Sequence, residues 1–175
     1  MTASPSIPTA LIKLCSDLFW YQNSNGECLS VEHCTTRLSH VGDRLTSLPA
    51  HELMTASDRV RWLQLLSLRR SFRDFECQLT LDSQTFWLRI CATPIITDDG
   101  SDAGYSCLAE DIGEELQQNS RLMRFRAAMD TSLDMIYLVD RETLQFLDVN
   151  DTASVNTGWS REEIFARGPE RVLDI

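Results

Sequence analysis

Residues 86–113 (FWLRICATPIITDDGSDAGYSCLAEDIG) decide the fold. Apolar and polar side chains alternate in the first part of this stretch, so that Phe86, Leu88 and Ile90 share one face of a strand. The TDDGSDAG run that follows is rich in turn-forming residues. Apolar character resumes at Tyr105 and continues to Asp111. The stretch therefore predicts two long strands joined by a turn.

The sequence before this stretch predicts three further strands and a helical middle. Residues 72–81 (FRDFECQLTL) alternate in the same way and end at an Asp-Ser turn. Residues 17–33 form a predicted hairpin around the turn sequence NSNG. Between these segments, residues 35–56 predict short helical turns. The order predicts an α+β domain with a five-stranded antiparallel sheet and helices on one face.

One longer helix is predicted before residue 72. Ser57 and Asp58 are suitable N-terminal capping residues. The apolar residues that follow at roughly helical spacing are Val60, Leu63, Leu65, Leu66 and Leu68. This period indicates that the segment is a helix.

These segments resemble a known family. FRDFE at 72–76, residues 86–100 and GYSCLAEDIG at 104–113 are similar to the C-terminal half of a PAS domain. FLDVNDTA at 146–153 and GWSREE at 158–163 resemble the front half of another. The resemblance implies a PAS fold and a sensory input role, as in bacterial histidine kinases and cyclic-di-GMP enzymes. It does not imply a particular ligand, because PAS domains share a scaffold.

The predicted organisation has four parts. Residues 1–10 form a flexible leader, 11–113 a PAS domain, 114–130 a connecting helix, and 131–175 the N-terminal part of a second PAS domain, truncated at its end. In this last part we expect strands over 133–137 and 144–149 and short helices over 150–156 and 160–166. Ser160 begins a capping-box sequence.

Composition excludes several functions. The net charge is −10 and the pI is about 4.7, which argues against a nucleic-acid partner. The sequence has no apolar run long enough to span a bilayer and no signal peptide. We therefore expect a cytoplasmic segment with no membrane contact. Its six cysteines are expected to be reduced and structural.

No catalytic constellation is present, and we predict a regulatory region without enzymatic activity. His33, His40 and His51 lack the neighbouring ligands of a metal site, so no metal is predicted. The residues around Cys34 (HCTT) differ from the Asn-Cys-Arg-Phe context of photoactive flavin domains. No cofactor is predicted, and haem and flavin are both disfavoured.

Candidate ligand-pocket residues are the large or weakly polar side chains predicted to face the interior. They are Trp20, Trp62, Phe75, Cys77, Leu88, Ile90 and Cys107. The alternative, a fully packed core without a ligand, stays open.

Two further sets of residues are predicted to carry a signal or an interface. Asp111, Ile112 and Gly113 form the expected junction between the last strand and the connecting helix. The resemblance implies Asp-Ile-Thr at this point; glycine removes the hydroxyl and adds backbone freedom, while Asp111 can still pair with an arginine. Trp87 and Arg89, on the outer sheet face, and Leu116 and Met123, on the helix, are interface candidates for a homodimer.

The predicted function is a signal-sensing PAS module. A ligand, a redox change or a partner alters the first domain, and the connecting helix relays that change to a downstream effector. One alternative is a ligand-free PAS domain used for dimerisation or docking. Another is a fragment of a histidine kinase from a two-component system, or of a diguanylate cyclase or phosphodiesterase.

Overall fold

The computed structural model describes residues 12, 15–97, 100 and 102–173. The predicted leader, 1–10, lies outside the described residues. The chain forms two compact units, residues 1–114 and 115–175.

The first unit is built on a five-stranded sheet. Its strands are β1 (Leu18–Gln22), β2 (Cys28–Cys34), β3 (Phe72–Leu81), β4 (Gln84–Ile96) and β5 (Asp102–Asp111). Their order across the sheet is β2-β1-β5-β4-β3, and every neighbouring pair is antiparallel. The predicted α+β class is confirmed. β5 begins before the predicted Tyr105, because Asp102 and Gly104 extend its pairing with β4.

Local turn chemistry explains the β1–β2 and β3–β4 hairpins. The Asn23 side chain accepts hydrogen bonds from the backbone N–H groups of Asn25 and Glu27, at 3.0 Å each, which closes the turn between β1 and β2. Asp82 and Ser83 both have positive φ, at 47° and 66°. A two-residue turn in which both residues have positive φ matches the twist of the strands that it joins, here β3 and β4.

Helices connect β2 to β3 and cover the inner sheet face. α1 (Ser39–Leu45) and α2 (Ala56–Ser67) are accompanied by short 3-10 turns at Thr36–Leu38 and Ala50–Glu52. Their apolar residues join those of β1, β3, β4 and β5 in one buried cluster, and the partly buried Cys28, Val31 and Cys34 of β2 pack against it. The cluster consists of Leu18, Trp20, Leu38, Val41, Leu45, Ala50, Leu53, Met54, Trp62, Leu66, Phe75, Cys77, Leu79, Leu81, Leu88, Ile90, Ala92, Tyr105, Cys107 and Ala109.

The start of α2 differs from the prediction. Thr55, not Ser57, caps the helix, and its side chain accepts from the N–H of Asp58. Trp62 and Leu66 are buried one turn apart. The aliphatic residues Val60, Leu63 and Leu68 are exposed. Trp62 fixes which side of the helix faces the sheet because it buries the largest apolar surface.

The second unit has its own small core. The long helix α3 (Gly113–Asp130) leads into β6 (Tyr137–Val139) and β7 (Phe146–Val149), which pair antiparallel. The helices α4 (Asp151–Thr157), α5 (Arg161–Arg167) and α6 (Pro169–Leu173) follow. Phe146, Val149, Ala153 and Ile164 form the buried core.

Both strands of this unit are shorter than predicted, whereas its helix cap is confirmed. Residues 133–136 and 144–145 are not strand. The Asn150 side chain accepts from the N–H of Ile136 and donates to the carbonyl of Asp134, so these groups are not available to a sheet ladder. Ser160 forms the predicted capping box with Glu163.

Within the part of the chain that the structure describes, no helix is both long enough and apolar enough to cross a membrane.

Candidate functional site: the core and the strand–helix junction

All seven predicted pocket residues lie in the buried core of the first unit. Each is at most 4% exposed. Trp20, Phe75, Cys77, Leu88, Ile90 and Cys107 come from the sheet, and Trp62 from α2. The structure thus brings them together on the inner face, where side chains of alternate strand residues point.

An aromatic group forms one part of this core. The Trp62 ring centroid lies 5.3 Å from the centroids of both Phe72 and Phe75. Tyr105 donates a hydrogen bond of 2.8 Å from its hydroxyl to the carbonyl of Leu66 on α2. The Trp62 indole nitrogen is buried without a hydrogen-bond partner. Such a group is costly to bury, by about 1–3 kcal/mol.

A second unpaired donor comes from Gln22, which the sequence reasoning missed. Trp20 donates from its indole nitrogen to Gln22 Oε1 at 3.1 Å. An indole N–H can only donate, so it fixes which end of the amide faces it. The remaining Gln22 Nε2 is buried and has no partner. The available signal was a glutamine two residues after Trp20, and therefore on the same inner face of the strand.

The core thiols are unsuited to chemistry at neutral pH. Burial raises the pKa of Cys77 to about 12 and that of Cys107 well above its ordinary value. A thiol must lose its proton to act as a nucleophile. These cysteines serve as small apolar residues.

The end of β5 is joined to the start of α3 through the Asp111 carboxylate. Its Oδ2 lies 2.6 Å from Nε of Arg37, and its Oδ1 accepts from the N–H of Gly113 at 2.9 Å. Arg37 also contacts Oε1 of Glu114 through Nη1, at 2.8 Å. One arginine from the segment after β2 therefore binds both the last strand and the first turn of the helix.

Asp17 ties the start of β1 to the same place. Its carboxylate accepts from the N–H of Asp111 at 2.9 Å, and its backbone N–H donates to the carbonyl of Ala109. Its carbonyl accepts from the N–H of Thr35. Asp17, Arg37 and Glu114 were missed from the sequence, because partners so distant along the chain leave no local pattern.

The other end of α3 is held within the second unit by Asn150. The Asn150 amide donates to the carbonyl of Met129 at 2.9 Å, besides its bonds to residues 134 and 136. The N–H of Asp151 donates to the Asp130 carboxylate at 3.2 Å. Met129 is buried, whereas Leu122 and Phe125 on the same helix are exposed.

Comparisons with known proteins bear on the fold alone. A scan against protein-family models and a search of curated proteins found no match. Among solved structures, a sensory box histidine kinase/response regulator from Burkholderia thailandensis aligns with a TM-score of 0.51 and 16% identity, over 69% of this chain and 95% of that chain. The PAS domain of the fruit-fly ELK potassium channel has a TM-score of 0.47 and 15% identity, covering 64% of this chain and 98% of that chain. A PAS domain from Colwellia psychrerythraea has a TM-score of 0.47 and 12% identity, with 62% and 99% covered.

The strand order β2-β1-β5-β4-β3, with the helices inserted between β2 and β3, matches that of PAS domains. The first unit has the PAS fold.

The junction carries glycine where the resemblance implied threonine. Gly113 is the first residue of α3, and a Cβ at this position would lie 3.0 Å from Asp111 Oδ1. Threonine would need the carboxylate to shift by a few tenths of an ångström. With glycine at this position, the Asp111 carboxylate binds the N–H of Gly113 and the Arg37 guanidinium at the same time.

The outer face of the PAS sheet carries the first pair of predicted interface residues. Trp87 is 40% exposed. Arg89 contacts Glu76 at 3.0 Å and Glu110 at 3.5 Å. On α3, Met123 is exposed and Leu116 partly so.

Among the residues described, no group of three or more His, Cys, Asp or Glu side chains could hold a metal ion.

Proposed function

We propose that the chain is a signal-sensing PAS module without catalytic activity of its own. A change in the packing of the first unit passes from β5 into α3 and on to a downstream effector. The observation that carries this proposal is the Asp111 carboxylate, which binds the arginine after β2 and the first N–H of α3 at once. A shift of either strand end therefore alters the first turn of the helix.

The signal is proposed to be a small molecule, a redox change or a protein partner acting on the first unit. The two buried donors without acceptors, on Gln22 and Trp62, support a small molecule. The inert core thiols favour it over a cysteine-based redox signal.

The proposed assembly is a cytoplasmic homodimer. Trp87 offers apolar surface on a sheet face where charged pairs surround it, and Leu116 and Met123 lie seven residues apart on α3. The effector proposed downstream is a histidine kinase of a two-component system or an enzyme of cyclic-di-GMP signalling. Nucleic acid is not a proposed partner, given the net charge of −10.

Residues 131–175 are proposed to form the first part of a second PAS domain. They follow the order of the first unit, with an antiparallel hairpin and then short helices. In this arrangement residues 114–130 connect the domain at 11–113 to its neighbour.

A ligand-free docking module is the second candidate function. The tight core favours it, since the seven candidate pocket residues are almost fully buried. Native mass spectrometry of the purified chain, with an absorption spectrum, separates the two. A retained small molecule supports sensing, whereas a bare protein mass with a blank spectrum supports docking.

The junction is tested by hydrogen exchange along α3. Asp111→Asn should raise the exchange rates of the amides from Gln117 onward by about tenfold, since hydrogen bonds to a charged group contribute about 1.5–3 kcal/mol. Arg37→Ala should act in the same direction. The control is Arg73→Ala, an exposed arginine on β3 at the opposite sheet edge. Equal rates in all four proteins would contradict the proposed relay.

A further inference from the structure

A recess of about 190 Å³ opens at the start of β2. It lies between this strand and the loop after α1 and is lined by Glu27, Cys28, Leu45, Thr46, Ser47, Leu48 and Pro49. Leu45 belongs to the buried core of the first unit, and Cys28 packs against that core. These two side chains and Leu48 form the apolar part of the recess, whereas most of its exposed lining is polar. Its volume suits a molecule slightly larger than benzene, which fits a cavity of about 150 Å³.

A buried donor without an acceptor lies next to this apolar part. Gln22 is the direct partner of Cys28 across the β1–β2 pair, so their Cβ atoms are about 5 Å apart on the inner face. The indole of Trp20 holds the amide oxygen of Gln22, which leaves Nε2 unpaired. Gln22 is fully buried and does not itself line the recess, so the Cys28 side chain must rotate before a ligand can contact Nε2.

The rim offers acceptors instead. The hydroxyl of Thr46 donates to the carbonyl of Asp43, and that of Ser47 donates to the carbonyl of Arg44. Each hydroxyl has thereby used its hydrogen and has lone pairs left. A ligand N–H can donate to them.

Charge disfavours an anionic ligand. The Glu27 carboxylate lines the recess and repels anions, and the recess lining contains no arginine or lysine. Burial raises the pKa of Cys28, so this thiol is uncharged at neutral pH. The Glu27 carboxylate would attract a cation to the recess, but a cationic group cannot pair with Gln22 Nε2, which is a donor.

We propose that this recess binds a small uncharged amide on an apolar ring or chain. The amide oxygen accepts from Gln22 Nε2, the N–H group donates to Ser47 or Thr46, and the apolar part covers Leu45 and Leu48. The inference rests on the proposed sensing function, for which it names the chemical class of the ligand.

The test is a titration of the ¹⁵N-labelled full chain with benzamide, toluene and benzoate, followed by NMR. Benzamide should give saturable shifts of the Gln22 side-chain NH₂ and of the Ser47 amide, and the other two probes should bind at least tenfold more weakly. Gln22→Leu should weaken benzamide binding about tenfold and leave toluene unchanged. Ser47→Trp should fill the recess and abolish binding, whereas Gln84→Leu, at an exposed glutamine on β4, should have no effect.

Three results would overturn the site. The first is an unshifted Gln22 NH₂ signal at saturating benzamide, which is also expected if a bound water occupies that group. The second is equal affinity for benzamide and toluene, and the third is unchanged benzamide binding in Gln22→Leu. None of these results affects the exchange rates of α3 in the Asp111 and Arg37 variants, which are measured without any probe, so the relay is tested separately.

Discussion

Gly104 shows how closely two strands approach at one residue. Its φ is +112°, and a Cβ there would lie 1.9 Å from the backbone oxygen of Gln22. No side chain fits this position, because the obstacle is backbone rather than a flexible group. β1 and β5 can therefore pair up to Gln22 only with glycine at residue 104.

Gly104→Ala should destabilise the first unit by more than about 3 kcal/mol, since a left-handed φ alone costs about 1–2 kcal/mol and the overlap adds to it. Gly100 is the matched control: its φ is +81°, but nothing lies within 4 Å of a Cβ there. Gly100→Ala should cost about 1 kcal/mol. Urea unfolding followed by Trp fluorescence measures both, and equal losses would show that the close approach is absent.

Alkylation should distinguish the cysteines sharply. Cys15 is exposed, whereas Cys77 and Cys107 are buried, and burial raises the pKa of both buried thiols. Iodoacetamide at neutral pH should modify Cys15 in the native chain and leave these two unmodified until the protein unfolds. Peptide mass spectrometry reads the result. Native labelling of Cys77 or Cys107 would reopen a redox role.

At the level of elements, Asn150 joins the end of α3, the following loop and the start of α4. Its side chain accepts from the N–H groups of Ile136 and Ala153 and donates to the carbonyls of Met129 and Asp134. The amide thus uses both its oxygen and its NH₂ hydrogens, in a residue that is 1% exposed.

Asn150→Ala should destabilise the second unit by about 2 kcal/mol or more, because it removes a helix cap and leaves buried groups unpaired. Hydrogen exchange should rise at Ile136 and in the last turn of α3. Asn150→Asp keeps the accepting oxygen, so its exchange rate at the Ile136 amide should rise less than in Asn150→Ala. Asn156→Ala, at an exposed position of α4, is the control. A uniform small change in all three variants would refute the joining role.

The Asp140 carboxylate should respond to pH at the turn between β6 and β7. It accepts from the N–H groups of Glu142 and Thr143 and from the Thr143 hydroxyl. The bonds to Thr143, followed by that to Glu142, lower its pKa from 3.8. A carboxyl group whose pKa is lower in the folded chain stabilises the folded state at any pH above its pKa in the unfolded chain. The stabilisation from Asp140 is therefore present at neutral pH. It is lost as the pH falls through the lowered pKa of the folded chain. A ¹³C titration should show the lowered pKa, and Thr143→Ala should move it back towards 3.8; an unchanged pKa in that variant would contradict the cause.

Strands with local determinants were predictable, and elements with distant partners were not. The alternation in 72–81 and 86–96 gave β3 and β4 nearly to the residue, because each strand buries one face and a two-residue turn joins them. The residues before Tyr137 alternate less clearly, and a side chain further along the chain takes their hydrogen bonds. In the site, the core residues and Asp111 followed from pattern and resemblance. Arg37 could not be predicted, since its contact with Asp111 forms only when β1, β2 and β5 assemble into the sheet.

For the whole molecule, the central claim is that the state of the core in the first unit controls α3 through Asp111. Ile90 lies in that core and pairs with Ala109, two residues before Asp111 on β5. A small loss of packing at Ile90 should first displace the end of β5, and through it the start of α3. The junction is then required for the helix to respond.

The most direct test is a double-mutant cycle of Ile90→Val and Asp111→Asn, read by the exchange rates of the α3 amides from Gln117 onward. Ile90→Val costs about 0.5–1.5 kcal/mol in a core, and Val60→Ala, at an exposed position of α2, is the control. The account predicts that Ile90→Val accelerates amide exchange in α3 when Asp111 is present. In the Asp111→Asn background, Ile90→Val should leave the α3 exchange rates almost unchanged. The same acceleration in both backgrounds, or none in either, would contradict it.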